Sequence, residues 1–130
     1  MSKRVLAVDP GEVRIGLAIS DPTCVIARPL KVLKHVSRKK DAEAILAEAA
    51  AEDAGTVLVG VALDMEGEAG PQARRALRLV EVLRSLTDLP VVTWDESGST
   101  LAAGKRDAFI DARAAAVILQ EYLDAQDAQT

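Results

Sequence analysis

The stretch that most constrains this chain is VLAVDPGEVRIGLAIS, Val5 to Ser20. Val5 to Val8 is a short apolar run that reads as a buried strand. It ends on Asp9, and Pro10-Gly11 then forces a turn. Beyond the turn Val13, Ile15, Leu17 and Ile19 alternate with Arg14, Gly16, Ala18 and Ser20, the period of two expected of a half-buried strand. The two runs are close enough to pair as an antiparallel hairpin, with a turn that is not one of the tight two-residue types. A carboxylate at the tip of a buried strand, followed by a glycine turn, can receive a metal ion or a phosphate.

The remaining elements follow in order. Asp21-Pro22 marks a turn, and a third strand runs from Val25 to about Leu33, with Pro29 suiting an edge or a bulge. Asp41 to Asp53 reads as a helix with Ala42, Ile45, Leu46, Ala49 and Ala50 on one stripe and Gly55 placed to end it. Thr56 to Leu63 is too apolar and β-branched for a surface strand and belongs at the centre of a sheet. Asp64 and Glu66 open a polar loop as possible metal-facing acids. Gly70-Pro71 starts a second helix with Ala73, Ala76, Leu77, Val80 and Leu83 inward and Arg74, Arg75, Arg78 and Arg84 outward. A strand spans Val91 to Trp94, and a last helix begins near Asp111, with a polar tail from Asp124 expected to fray. Three strands followed by two βα units give an α/β fold: a mixed five-stranded sheet, an antiparallel meander plus two βα units, with helices packed on it.

Length and composition bound the rest. The 130 residues are read as one domain, 1–130, whose core must come from Val, Leu, Ile and Ala, because Phe, Tyr and Trp occur once each. Sixteen basic against 20 acidic residues give a net charge of -4, so the molecule as a whole does not attract nucleic acid. Binding of that kind needs a local patch. One is the run Arg28, Lys31, Lys34, Arg38, Lys39, Lys40, which holds no acid and contains His35; the other is the arginine face of the second helix. The single cysteine, Cys24, fits a reducing compartment and reads as a small buried apolar residue. No segment resembles a secretion signal or reaches membrane-spanning length, so a cytoplasmic protein is expected.

Acids recur at the ends of elements: Asp9 after the first strand, Asp95-Glu96 after the last, Asp111 near the start of the final helix. Asp111 shares a helix face with Ala115, Ile118, Leu119 and Tyr122, and a carboxylate on a buried face needs a partner. Strand ends of one sheet converge on one edge, where clustered carboxylates suit divalent cations such as Mg²⁺. Asp is also a common cap and turn residue, which would explain each position singly.

On these residues the chain resembles the YqgF family, also called RuvX, of Holliday-junction-resolvase-like proteins. The matching pieces are VDPGEVRIGLA, VGVALDMEGEAGP, DESGST and IDARAAAVILQEYL, in family order across nearly the whole chain. The resemblance implies an RNase H-like fold and a metal-dependent nuclease of structured nucleic acid, acting in pre-16S ribosomal RNA processing. It makes Asp9, Glu96 and Asp111 the catalytic carboxylates and the ligands of Mg²⁺ or Mn²⁺, with Asp95 a second-line candidate. Gly11, Gly16 and Gly60 match positions where backbone is kept close. The implied substrate is precursor ribosomal RNA or branched DNA, with the ribosome as a further partner and a monomer or weak homodimer as the assembly. Lys34, Arg38, Lys39, Arg74, Arg78 and Lys105 are the candidate backbone contacts.

Three positions depart from the family pattern. Ser97 stands where an arginine usually follows the acid pair, Ala62 replaces a proline, and the segment from Thr100 to Asp111 is short, with Lys105 and Arg106 its only cations. Two other readings follow from the same residues: a non-catalytic nucleic-acid-binding factor of the same fold, and the phosphate-binding turn of an actin-like ATPase. The second needs two lobes, for which 130 residues leave no room.

Overall fold

The computed structural model describes residues 4–63, 66–96 and 108–128. In chain order the elements are β1 (Arg4–Pro10), β2 (Arg14–Ser20), β3 (Ala27–Lys34), α1 (Arg38–Ala51), β4 (Ala54–Val61), α2 (Pro71–Leu86), β5 (Val91–Asp95) and α3 (Ala108–Ala128). The strands form one sheet in the order β3-β2-β1-β4-β5. The β1–β2 and β2–β3 pairs are antiparallel, and β1–β4 and β4–β5 are parallel. This is the expected mixed sheet.

Strand alternation sorts the core onto two faces. Leu6, Val8, Ile15, Leu17, Ile19, Val57 and Val59 pack against Ala42, Ile45 and Ala49 of α1 and Ala73, Ala76, Leu79, Val80 and Leu83 of α2. Val5, Ala7, Ala18 and Leu58 pack against Ala115, Ile118, Leu119 and Leu123 of α3. Nearly all of this is aliphatic, and each fully buried Leu or Ile contributes about 1.5–3 kcal/mol. β2 is therefore not half-buried: every residue from Ile15 to Ser20 is inside, because α3 covers the face that alternation alone leaves to solvent. Small side chains at Gly16 and Ala18 let that helix approach. Buried Ser20 is used rather than tolerated, its Oγ accepting from the Val5 amide at 2.8 Å.

Several boundaries move for local reasons. β1 is longer than the apolar run and carries Asp9 and Pro10 inside it, while Val13 lies outside β2 and is exposed. β3 begins at Ala27, leaving Val25 and Ile26 exposed, and Pro29 sits on this edge strand at a register irregularity with β2. α1 starts three residues before Asp41 because Ser37 caps it, its side chain accepting from the Lys40 amide. Gly55 does not end that helix. Asp53 does, in the left-handed region at φ 54°, and Gly55 becomes part of β4. In α2 the inward leucine is Leu79, and Leu77 is exposed. Arg84 is on the outer side as expected, exposed, and its Nε and Nη2 both donate to the Val91 carbonyl, tying α2 to the start of β5. α3 begins at Ala108 and stays helical to Ala128, so the expected fraying from Asp124 is not found through Ala128. Cys24 is only half-buried, at φ 59° in the β2–β3 connection.

Candidate functional site

Chain direction brings the acidic positions to one end of the sheet. β1, β4 and β5 run parallel, so Asp9, Val61 and Asp95 finish at the same edge. β3 runs in that direction too, and α1, α2 and α3 all start there.

Asp9 lies on the α3 face, because Val5 and Ala7 point that way and alternation carries Asp9 with them. Its cross-strand partner is Gly16. A Cβ on Gly16 would stand 2.0 Å from the Asp111 carbonyl oxygen, so α3 rests directly on the β2 backbone at this point. Asp9 and the first turns of α3 are therefore neighbours across a single glycine. Glu96 enters from the other side. Its amide donates to the Val61 carbonyl at 3.0 Å, continuing the β4–β5 ladder by one residue. Its Oε2, which is buried, occupies the space over Gly60, 2.2 Å from where a Cβ would be, with Ile118 Cδ1 of α3 also there at 3.0 Å. Gly16 and Gly60 are thus close-approach glycines, and Gly11 is a third: its Cβ would meet the Arg14 carbonyl at 2.5 Å in the hairpin turn.

Asp111 is buried, with 8 % exposure. Arg14 Nε donates to its Oδ2 at 2.7 Å. Sequence reasoning missed this pairing, although Arg14 shares the Gly16 side of β2 by alternation. Among the described residues no three His, Cys, Asp or Glu side chains stand close enough together to hold a metal ion by themselves. The donors on the α3 face are nonetheless all carboxylate oxygens, the chemistry a hard divalent cation takes. The Gly60 cradle that admits the Glu96 carboxylate fits the same use. Asp95 is exposed at the end of β5, Glu66 is exposed in its loop, and Asp64 lies outside the described residues.

The cations divide. Lys31 and Arg28 are ion-paired to Glu48 of α1 and to Glu52, which caps it, at 2.9 and 3.9 Å, and tie β3 to the end of that helix. Lys34, Arg38 and Lys39 are exposed where β3 ends and α1 begins. Arg74 and Arg78 are exposed on α2, Arg74 Nη1 donating to the Ala69 carbonyl. Lys34, the cross-strand partner of Arg14, is on the α3 side of the sheet, whereas Arg38, Lys39, Arg74 and Arg78 belong to the helices of the opposite face. Lys105, Arg106 and Ser97 lie outside the described residues.

The profile of the RuvX family, described as Holliday junction resolvase, matches residues 3–125. The chain belongs to the RuvX family. A relative from Thermoanaerobacter pseudethanolicus is 37% identical, over 95% of this chain and 97% of its own. One from Roseiflexus sp. is 40% identical, over 95% of each. Both carry the name "Putative pre-16S rRNA nuclease". Among solved structures, Thermus thermophilus RuvC superposes with a TM-score of 0.58 at 20% identity, covering 96% of both chains. The same protein in complex with Holliday junction substrate gives 0.57 at 18% identity, covering 95% of both. At that identity the likeness concerns the fold, which is the RNase H-like resolvase fold. No described helix of this RuvX chain is long and apolar enough to cross a membrane.

Proposed function

We propose that this RuvX chain is a nuclease that hydrolyses phosphodiester bonds in structured nucleic acid, with pre-16S ribosomal RNA as its substrate. What supports the reading is that Asp9 pairs with Gly16, the Asp111 backbone rests on the same glycine, and the Glu96 carboxylate is seated over Gly60, all on the α3 face. The names of the relatives support the choice of ribosomal RNA.

In this reading Asp9, Glu96 and Asp111 hold Mg²⁺ or Mn²⁺. Such an ion, when bound, lowers the pKa of water and offsets phosphate charge. The protein's own part is positioning. Arg14 fixes the Asp111 carboxylate, and the Glu96 backbone is locked to Val61 so that its side chain is held over Gly60. Lys34, Arg38, Lys39, Arg74, Arg78 and Lys105 hold the nucleic-acid backbone without reading its sequence.

Ser97 in place of the family's arginine favours a second reading, in which the chain binds the same substrates without cutting them. Cleavage of precursor ribosomal RNA and of a four-way DNA junction, with Mg²⁺, Mn²⁺ or chelator, separates the two. The nuclease reading expects metal-dependent cleavage of the RNA that Asp9→Asn, Glu96→Gln and Asp111→Asn each reduce by orders of magnitude. Binding without cleavage under every condition overturns it.

A further inference from the structure

On the α1/α2 side of the sheet a cleft of about 230 Å³ opens under the β1–β2 turn. Its walls include Gly11 from the turn, His35 and Arg38 around the start of α1, and Arg75 from α2. It begins one residue beyond Asp9, on the opposite face from the carboxylates. We propose that this cleft is a phosphate-binding pocket, built to take a terminal phosphate of a nucleic-acid strand, with Arg38 and Arg75 as its cationic walls.

Three observations carry this. Arg75 is only partly engaged. Its Nη2 donates to Glu12 Oε1 at 3.1 Å, while its Nη1 is buried with no hydrogen-bond partner among the described residues. A buried guanidinium N–H without an acceptor is costly, and a phosphate oxygen is the acceptor that a two-pronged arginine matches best. Arg38 is exposed and makes no ion pair among the described residues. The one carboxylate in the wall, Asp41, is already engaged: its Oδ1 accepts from the Val36 amide at 2.9 Å and its Oδ2 contacts His35 Nδ1, which orients the imidazole. That leaves Nε2 as the remaining polar atom of His35. The start of α1 adds its positive dipole end to the same wall.

Glu12, in the hairpin turn and 76% exposed, then acts as a stand-in for the ligand: its carboxylate holds Arg75 until a phosphate replaces it. This makes an unusual expectation, since removing a surface acid should strengthen binding. The proposal does not depend on cleavage by the acids of the other face, and its test reads binding alone.

The test is titration of the full chain with inorganic phosphate, a 5′-phosphorylated trinucleotide and the same trinucleotide with a 5′-hydroxyl, followed by calorimetry and by the Gly11 amide resonance. Glu12→Gln should bind phosphate several-fold more tightly than the parent, and Arg38→Ala and Arg75→Ala should each weaken it by roughly tenfold. The phosphorylated trinucleotide should bind and the hydroxyl form should not. Glu12 and Arg38 are surface residues, so those two variants decide the matter if Arg75→Ala fails to fold. Equal binding of phosphate by the parent, Glu12→Gln and Arg38→Ala, or no binding by any of them, overturns the pocket. Equal binding of the two trinucleotides overturns the terminal phosphate as its occupant.

Discussion

Arg14 Nε and Asp111 Oδ2 lie 2.7 Å apart, an ion pair between the first residue of β2 and the first turn of α3, 97 positions away in the chain. It clamps the start of α3 onto the hairpin. The arginine is about a third exposed while the carboxylate is nearly buried, so solvent screens the pair in part. Arg14→Met should lower stability by about 1 kcal/mol, less than the loss of a fully buried pair. If Asp111 also holds a cation, the variant should gain more in melting temperature from added Mn²⁺ than the parent does, because Oδ2 no longer faces a competing guanidinium. Melts with chelator and with Mn²⁺ measure both effects. An equal gain in the two proteins would remove Asp111 from the ligand set.

Two glycines with similar sequence roles should respond differently to alanine. At Gly16 the obstacle is backbone, the Asp111 carbonyl at 2.0 Å, and only a shift of the whole helix relieves it. Gly16→Ala should cost about 3 kcal/mol in a urea titration. At Gly60 the main obstacle is the far end of a side chain, Glu96 Oε2 at 2.2 Å, which can swing away. Gly60→Ala should cost about 1 kcal/mol, yet displace the carboxylate and abolish cleavage. A Gly16→Ala protein as stable as its parent would contradict the close approach of α3.

The exposed arginines of α2 are tested by salt. Arg74→Ala with Arg78→Ala should weaken RNA binding and reduce the slope of log K against log salt by about one to two, as fewer counterions are released. An unchanged slope makes this face ordinary solvated surface.

Asp21 organises the β2–β3 connection. Its carboxylate accepts from the amides of Val25 and Ile26 at 2.8 and 2.9 Å, and from Thr23 through both amide and hydroxyl. These bonds, that to Ile26 foremost, hold its carboxyl well below the usual aspartate range. A depressed folded-state pKa means stability that is present at neutral pH and lost as pH falls through and below the ordinary aspartate range. Asp21→Asn should therefore melt lower than the parent at pH 7, with the difference shrinking in acid. A difference that does not change with pH would place the effect elsewhere in the loop.

Much of this fold could be read locally. The Val5–Val8 run, the alternation after Pro10-Gly11 and the apolar β4 set strand identity, and the Pro71 start and apolar spacing of α2 set a helix, because those signals act over a few residues. The placement of Asp9, Glu96 and Asp111 at element ends was visible for the same reason. Element ends shifted where a side chain competed locally, as when Ser37 captured the first turn of α1 and Asp53 took the left-handed turn that a glycine was expected to supply.

Tertiary packing alone decided the rest. Alternation in β2 marks two faces but cannot say that both are covered; α3, from the other end of the chain, buries the second. Whether Leu77 or Leu79 faces the sheet depends on how α2 is rotated against α1, which spacing over a few turns does not resolve. The Arg14–Asp111 pair, the seat of Glu96 over Gly60 and the cleft under Gly11 all join residues distant in sequence. Each exists because two backbones meet closely enough that only glycine, or a matched charge, fits between them.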